Sequence, residues 1–134
     1  MSLGSWDPKV ASQSTELLLE SALLRRLIAY SDQAKLAQLE QLLSAGEKQR
    51  LAGLMKIDPL IWQEAAESLL ENDLLHLIRF FAVAENLPGW EAGATSPVIP
   101  LAKILRKRGV RLDKSLLQWL REVNDNRYLP YGPL

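Results

Sequence analysis

Hydrophobic residues recur along this chain at the three- and four-residue spacing of amphipathic helices. No stretch alternates apolar and polar residues over the length of a strand. The pattern therefore predicts an all-α fold, a compact irregular bundle of about seven short helices joined by short loops. The first helix carries the densest leucine run and is expected to be central. The helices are predicted over approximately 15–30, 32–45, 47–56, 58–71, 73–87, 97–108 and 113–123.

Residues that start or stop helices separate the hydrophobic runs. Asp32 and Asp58 are typical of helix N-termini, because an aspartate side chain can accept the unpaired N–H groups of a first turn. Pro59 fits the first helical position, where the missing N–H costs nothing. Gly46 and Gly109 are predicted to end helices, since glycine adopts positive φ without steric penalty.

The composition indicates one soluble globular domain. The chain has 134 residues, no cysteine, and 48% hydrophobic against 24% charged residues. We expect a flexible N-terminus over 1–13, of which 1–5 are typical of a cloning remnant, a single helical domain over 14–127, and a non-helical C-terminal tail over 124–134. No signal peptide or membrane span is recognised, so a cytoplasmic location without membrane contact is predicted.

The net charge of zero conceals two oppositely charged parts. Residues 1–96 hold 8 basic and 13 acidic residues, a net charge of −5, whereas residues 97–134 hold 8 basic and 3 acidic residues, a net charge of +5. A polar loop over 90–96 separates an acidic part, 14–89, from a basic helical hairpin, 97–123. The basic side chains either pair with the acidic part and a helix dipole, or are free to bind an anionic partner.

No recognisable catalytic, nucleotide-binding or metal-binding motif is present. The single histidine, His76, has no second histidine or cysteine with which to form a zinc site, and we interpret it as a boundary residue of a helix. Glu64, Glu67 and Glu71 share one helix face and are expected to be solvated. No glycine-rich phosphate loop occurs. We therefore expect no cofactor and no metal, and predict that the chain is not an enzyme.

The leading hypothesis is a non-enzymatic protein–protein interaction module, an adaptor or small regulatory subunit that binds a partner protein or associates with itself. Its contact surface is predicted in the basic C-terminal third and the aromatic tail. The candidate binding residues are Trp90, Lys103, Arg106, Lys107, Arg108, Arg111, Arg127, Tyr128 and Tyr131. The alternative is a nucleic-acid-binding accessory protein that uses the basic segment 103–114, for instance as a helix-turn-helix. The same segment is a candidate site for another anionic ligand.

Three questions stay open at the level of sequence. Trp90 either fills the edge of the core or contacts a partner. The tail either packs on the bundle or docks into a groove of another chain. A third hypothesis, an enzyme that acts through His76 with Arg79 and a distant carboxylate, requires the fold to assemble the catalytic group.

Overall fold

The computed structural model describes residue 19, residues 21–124 and residue 126. These residues form seven α-helices: α1 (Ser21–Asp32), α2 (Leu39–Leu42), α3 (Ala45–Leu51), α4 (Pro59–Ala66), α5 (Glu71–Ala84), α6 (Val98–Lys107) and α7 (Lys114–Val123). Short 3₁₀ turns occupy Leu36–Gln38, Ala52–Lys56 and Gly93–Thr95. No strand forms in this part of the chain, and the prediction of an all-α bundle is confirmed. Within the same residues, no helix is both long and apolar enough to cross a membrane.

The central helix of the bundle is α5. It packs against α1, α6 and α7, and α6 lies in addition against α4. Leu74, Leu77, Ile78, Phe80 and Phe81 of α5 are all fully buried. They occupy more than one side of the helix, because consecutive residues are 100° apart around the helix axis. The sequence predicts a central position for the first helix, but the described part of that helix packs mainly against α5.

Contacts at the ends of α4 and α6 fix the directions of these helices. At one end the Thr95 hydroxyl donates to the Met55 carbonyl at 2.8 Å, which joins the segments that precede α6 and α4. At the other end the Arg108 guanidinium donates to the carbonyls of Leu69 and Glu67, which follow α4. The two helices therefore run side by side in the same direction. α5 runs antiparallel to both, because Arg108 after α6 contacts Leu69 just before α5, and Glu85 after α5 contacts Ser96 just before α6.

Local signals define the start of α4 and the end of α6, as predicted. The Asp58 carboxylate accepts the N–H of Leu60 at 2.8 Å, and Pro59 occupies the first helical position. Gly109 follows the end of α6 with φ of 80°, a conformation that glycine adopts without a Cβ clash.

The predicted start of the second helix and the predicted boundary between the second and third helices are both wrong. Asp32 ends α1 instead of capping the next helix, and Gly46 lies in the first turn of α3. This helix starts after Ser44, whose hydroxyl accepts the N–H of Glu47 while the Glu47 carboxylate accepts the N–H of Ser44. The reciprocal capping box satisfies two N–H groups, which explains why the helix begins upstream of Gly46.

Two tryptophans fill the core in different ways. Trp62 on α4 and Trp90 in the loop before α6 are both 0% exposed. The Trp90 indole N–H donates to the Lys48 carbonyl of α3 at 3.0 Å, whereas the Trp62 N–H has no hydrogen-bond partner in the described chain. Trp62 instead packs edge-on against Phe81, with ring centroids 5.2 Å apart. Of the two placements that the sequence leaves open for Trp90, the structure shows the core, where its side chain ties the loop to α3.

We predict that Trp90→Phe destabilises the protein more than Trp62→Phe does. Both changes shrink a buried indole, but only the first removes a hydrogen bond, which is worth about 1 kcal/mol net. Urea titration of the two variants should give free energies of unfolding that differ by about this amount. An equal or larger loss for Trp62→Phe would contradict the role assigned to the Trp90 N–H.

An ion pair joins α1 to the start of α3. The Arg26 guanidinium donates to the Glu47 carboxylate and, at 2.9 Å, to the Tyr30 hydroxyl. The hydrogen bond from Arg26, followed by that from the Ser44 backbone, lowers the pKa of Glu47 below its usual value. A carboxylate whose pKa is lowered by folding stabilises the fold at pH values above its unfolded pKa. This contribution is lost as the pH falls through the folded pKa.

We predict that Glu47→Gln lowers the free energy of unfolding at about pH 7 and that this loss shrinks as the pH falls toward about 2. Glutamine can retain the capping contact with Ser44 and removes only the charge that faces Arg26. Chemical denaturation of wild type and variant across this pH range measures the difference. A difference that is independent of pH would show that the charge of Glu47 does not stabilise the fold.

Candidate functional site

Six of the seven basic residues that the structure describes in the C-terminal third lie in α6, in the segment after it and at the start of α7, whereas Arg121 lies in the last turn of α7. α6 ends beside the turn that links α4 to α5. α7 packs against α5, and the Asn86 side chain of the α5 end donates to the Val123 carbonyl at the α7 end. α7 therefore begins near the start of α5, close to the end of α6. We call this region the basic end: Lys103, Arg106, Lys107, Arg108, Arg111 and Lys114, together with the α4–α5 turn at 67–71.

Most charged side chains of the basic end are exposed and unpaired. None of Lys103, Arg106, Lys107, Arg111 and Lys114 forms an ion pair with an acidic residue of the described chain. Arg106 and Lys107 lie at the negative end of the α6 dipole, which stabilises positive charge. Lys114 begins α7, where the dipole disfavours a positive charge. Helix dipoles therefore stabilise only some of the positive charges in this cluster.

Arg108 has a structural role within the basic end. Its guanidinium donates to the Leu69 carbonyl at 2.7 Å and to the Glu67 carbonyl at 2.8 Å. Carbonyls at the end of a helix have no intrahelical partner, so a guanidinium that bridges two of them satisfies groups that the α4 end leaves open. The sequence places Arg108 among the binding residues, but these donors are directed into the chain. They hold the end of α6 against the α4–α5 turn.

An exposed leucine lies in the turn that Arg108 contacts. Leu70 is 71% exposed and follows Leu69, whose carbonyl binds Arg108. The sequence predicts that both leucines face inward, because their spacing continues the pattern of the fourth helix. α4 ends at Ala66, however, and the turn that follows buries Leu69 and exposes Leu70. The acidic side chains of Glu67 and Glu71 are exposed on either side of Leu70 along the chain.

The fold brings a serine, the histidine and an aspartate together. Oγ of Ser31 lies 2.9 Å from Nδ1 of His76, and Oδ1 of Asp32 lies 3.4 Å from Nε2. In a hydrolase triad the serine hydroxyl bonds Nε2 of the histidine and the aspartate bonds Nδ1. Here the serine lies at Nδ1 and the aspartate at Nε2, which is the reverse arrangement. Ser31 and Asp32 also end α1, where the negative end of the helix dipole disfavours an oxyanion. We therefore assign these contacts the structural task of joining α1 to α5.

The start of the predicted tail is anchored to the end of α5. The Glu85 carboxylate, which is 6% exposed, accepts hydrogen bonds from the Ser96 hydroxyl and, at 3.0 Å, from the Asn126 side-chain amide. The Asn124 side chain donates to the Ala82 carbonyl at 2.9 Å. Three predicted binding residues lie outside the described part of the chain: Arg127, Tyr128 and Tyr131.

Neither a metal-binding cluster among the described residues nor a similarity to a known protein adds to the description of this site. Within the described ranges, no three histidine or carboxylate side chains are arranged to hold a metal ion. Comparison of the chain with protein-family models, with curated proteins and with solved structures gave no match. The site is therefore defined by its own geometry: an exposed, unpaired basic cluster beside an exposed leucine, at one end of an all-α bundle.

We predict that Arg108→Ala lowers the free energy of unfolding by about 1–2 kcal/mol, because it removes two charge-assisted hydrogen bonds between α6 and the α4–α5 turn. Arg106→Ala serves as the matched control and should change stability by less than about 0.5 kcal/mol. Urea denaturation of both variants provides the measurement. Equal effects of the two substitutions would contradict the structural role of Arg108.

Proposed function

We propose that this chain is a non-enzymatic protein–protein interaction module that binds its partner through the basic end. The observation that carries the proposal is the cluster of five exposed cationic side chains that have no acidic partner in the described chain. Like charges held close together repel one another, and a facing acidic surface relieves that repulsion. The exposed side chain of Leu70 adds an apolar contact to the same surface.

Three features favour a protein partner over a nucleic acid. Glu67 and Glu71 lie at the same end of the bundle, where their charges would repel phosphates. α6 and α7 have their main contacts with α5 and not with each other, unlike the paired helices of a helix-turn-helix. Trp62 and Trp90 are buried and Trp119 of α7 is partly buried against the core, so no described tryptophan is a fully exposed stacking surface for bases.

The proposal of a non-enzymatic role is supported by the contacts of the most reactive side chains. His76 bonds Ser31 at the end of α1, and the carboxylate of Glu85 bonds Ser96 and Asn126. These side chains join segments of the fold, and each forms hydrogen bonds with other residues of the same chain. We also propose a cytoplasmic location.

The test compares two double variants that carry the same change in charge. Arg106→Glu with Lys107→Glu reverses two charges of the basic end, whereas Arg50→Glu with Lys56→Glu reverses two exposed charges elsewhere. We expect proteins captured from cell extract by the immobilised wild-type chain to be retained by the second variant. The first variant should bind them at least about tenfold more weakly, because acidic residues of the partner would then face glutamates.

A parallel measurement separates this function from the nucleic-acid alternative. Fluorescence anisotropy with labelled duplex DNA and single-stranded RNA should show no binding at low salt, and nuclease treatment should leave protein capture unchanged. Salt-dependent binding of either nucleic acid that Arg106→Glu with Lys107→Glu abolishes would overturn the proposal. Equal capture of the same proteins by both double variants would exclude the basic end as the contact surface.

A further inference from the structure

We infer that the basic end binds an extended, unstructured acidic segment of the partner protein, which follows the cations from α6 to the start of α7. The inference rests on the proposed function, because it names the kind of partner that occupies the same surface. Residues 103–114 hold six basic residues and one acidic residue, a net charge of +5. They form the second half of α6, the segment after it and the first residue of α7. A partner complementary to them carries carboxylates in close succession.

Five of the six cations are available to an external partner, because none of them pairs with an acidic side chain of the described residues. They are the exposed side chains of Lys103, Arg106, Lys107, Arg111 and Lys114. The single acidic residue of the segment, Asp113, forms no ion pair with any of them, and its carboxylate accepts the Ser115 hydroxyl at 2.6 Å. The sixth cation, Arg108, holds the α4–α5 turn and is not needed for the partner.

The apolar side chains of the same segment belong to the core. Leu105 is fully buried and Leu112 is 7% exposed, while Ile104 and Val110 are partly buried and pack against the core. No large apolar side chain of residues 103–114 is exposed. A folded partner or an amphipathic helix obtains much of its affinity from apolar anchors that become buried, and this segment offers none. The affinity of residues 103–114 for a partner therefore comes from charge.

The cations follow one another along the chain through two different helices. Those of α6 share one side of that helix, because they are three and four positions apart. The chain leaves the helical conformation at Gly109, whose φ is 80°, before it reaches Arg111 and Lys114. A rigid acidic surface would have to match both groups of cations at once, whereas an extended segment adjusts its path to each group. Since a helical turn rises about 5.4 Å and an extended residue about 3.3 Å, carboxylates at every second residue match the spacing on α6.

Other anionic partners fit this surface less well. An acidic helix presents its carboxylates along one straight side, which matches α6 but not the segment beyond Gly109. Duplex DNA is stiff over this length and meets the same difficulty. A single-stranded nucleic acid is flexible, but it gains affinity by stacking its bases on aromatic side chains, and residues 103–114 include no aromatic residue. An extended acidic segment needs neither a straight surface nor an aromatic one.

Fluorescence anisotropy of the full chain with labelled synthetic peptides tests the inference. The probe alternates glutamate with glycine or serine, which keeps it unstructured, and a second peptide carries glutamine at every glutamate position. We expect saturable binding of the first peptide at low salt, weakened at least about tenfold as sodium chloride is raised to about 0.5 M, because salt screens exposed charges. The glutamine peptide should not bind. A third peptide, with as many glutamates spaced four apart among alanines to favour a helix, should bind more weakly than the first.

Paired charge reversals locate the bound peptide on the surface. At about 0.15 M salt, where charges act over about 8 Å, Arg106→Glu with Lys107→Glu should raise the peptide dissociation constant at least about tenfold. Arg50→Glu with Lys56→Glu makes the same change in net charge at exposed positions elsewhere and should leave the dissociation constant unchanged. Circular dichroism verifies that each variant is folded. Should a glutamate variant fail to fold, the corresponding alanine variant removes the same contacts and decides the question.

A further charge reversal tests the path beyond α6. Arg111→Glu with Lys114→Glu should also weaken the binding of the alternating peptide at least about tenfold, because an extended segment follows both groups of cations. A partner that lies along α6 alone would not respond to this change at the same salt concentration. Unchanged binding by this variant, or tighter binding of the helix-favouring peptide, overturns the extended path.

The outcomes separate this inference from the proposed function. A wild-type chain that fails to bind the alternating peptide at low salt and hundreds of micromolar overturns the inference. If Arg106→Glu with Lys107→Glu nevertheless releases a captured protein, the interaction function stands and its partner presents a folded surface. Equal weakening by the control variant Arg50→Glu with Lys56→Glu shows general attraction between charges and also overturns the inference. Labelled nucleic acid that binds more tightly than the peptide, and that the basic-end variants release, overturns both proposals.

Discussion

Burial of α5 is the constraint on which the rest of the bundle depends. Phe80, Phe81 and Leu77 are fully buried on a helix whose neighbours are α1, α6 and α7. One neighbour covers only one stripe of a helix, so an apolar surface this wide must be enclosed from several sides. The remaining helices are shorter: α1, α6 and α7 pack directly against α5, and α4 packs against α6. This arrangement leaves the ends of helices as the places where polar groups meet.

Hydrophobic burial is not directional, and the polar contacts at helix ends supply the alignment that it lacks. His76 binds the end of α1, Arg108 binds the end of α4, and the carboxylate of Glu85 binds the segment before α6. The contacts join residues 11 to 45 positions apart in the sequence, and each satisfies a polar group that is buried or partly buried. These contacts determine which side chains remain exposed. Side chains with catalytic potential hold the fold together, whereas the lysines and arginines around the α6 end stay exposed.

Sequence patterns predict those features of this protein that depend on nearby residues. Helical spacing defines the all-α class, and Asp58 and Gly109 define termini of α4 and α6 because their effects are local. The position of the Trp90 side chain depends instead on the carbonyl of Lys48, 42 positions away in the chain. The exposure of Leu70 follows from an early end to α4, which a continuous leucine pattern conceals. The sequence predicts the basic segment only as a concentration of charge, and the contacts of Arg108 with the Leu69 and Glu67 carbonyls depend on residues about 40 positions away in the chain.

The charge pattern also shows that zero net charge and strong local charge coexist in this chain. A protein with high net charge repels molecules of like charge at long range in every orientation, whereas a net charge of zero removes that general effect. Segregation of the charges within the chain then makes its electrostatic interactions depend on orientation, because the acidic part and the basic part attract molecules of opposite charge. The exposed cations of α6 therefore act at short range, where the acidic residues elsewhere in the chain do not cancel their field.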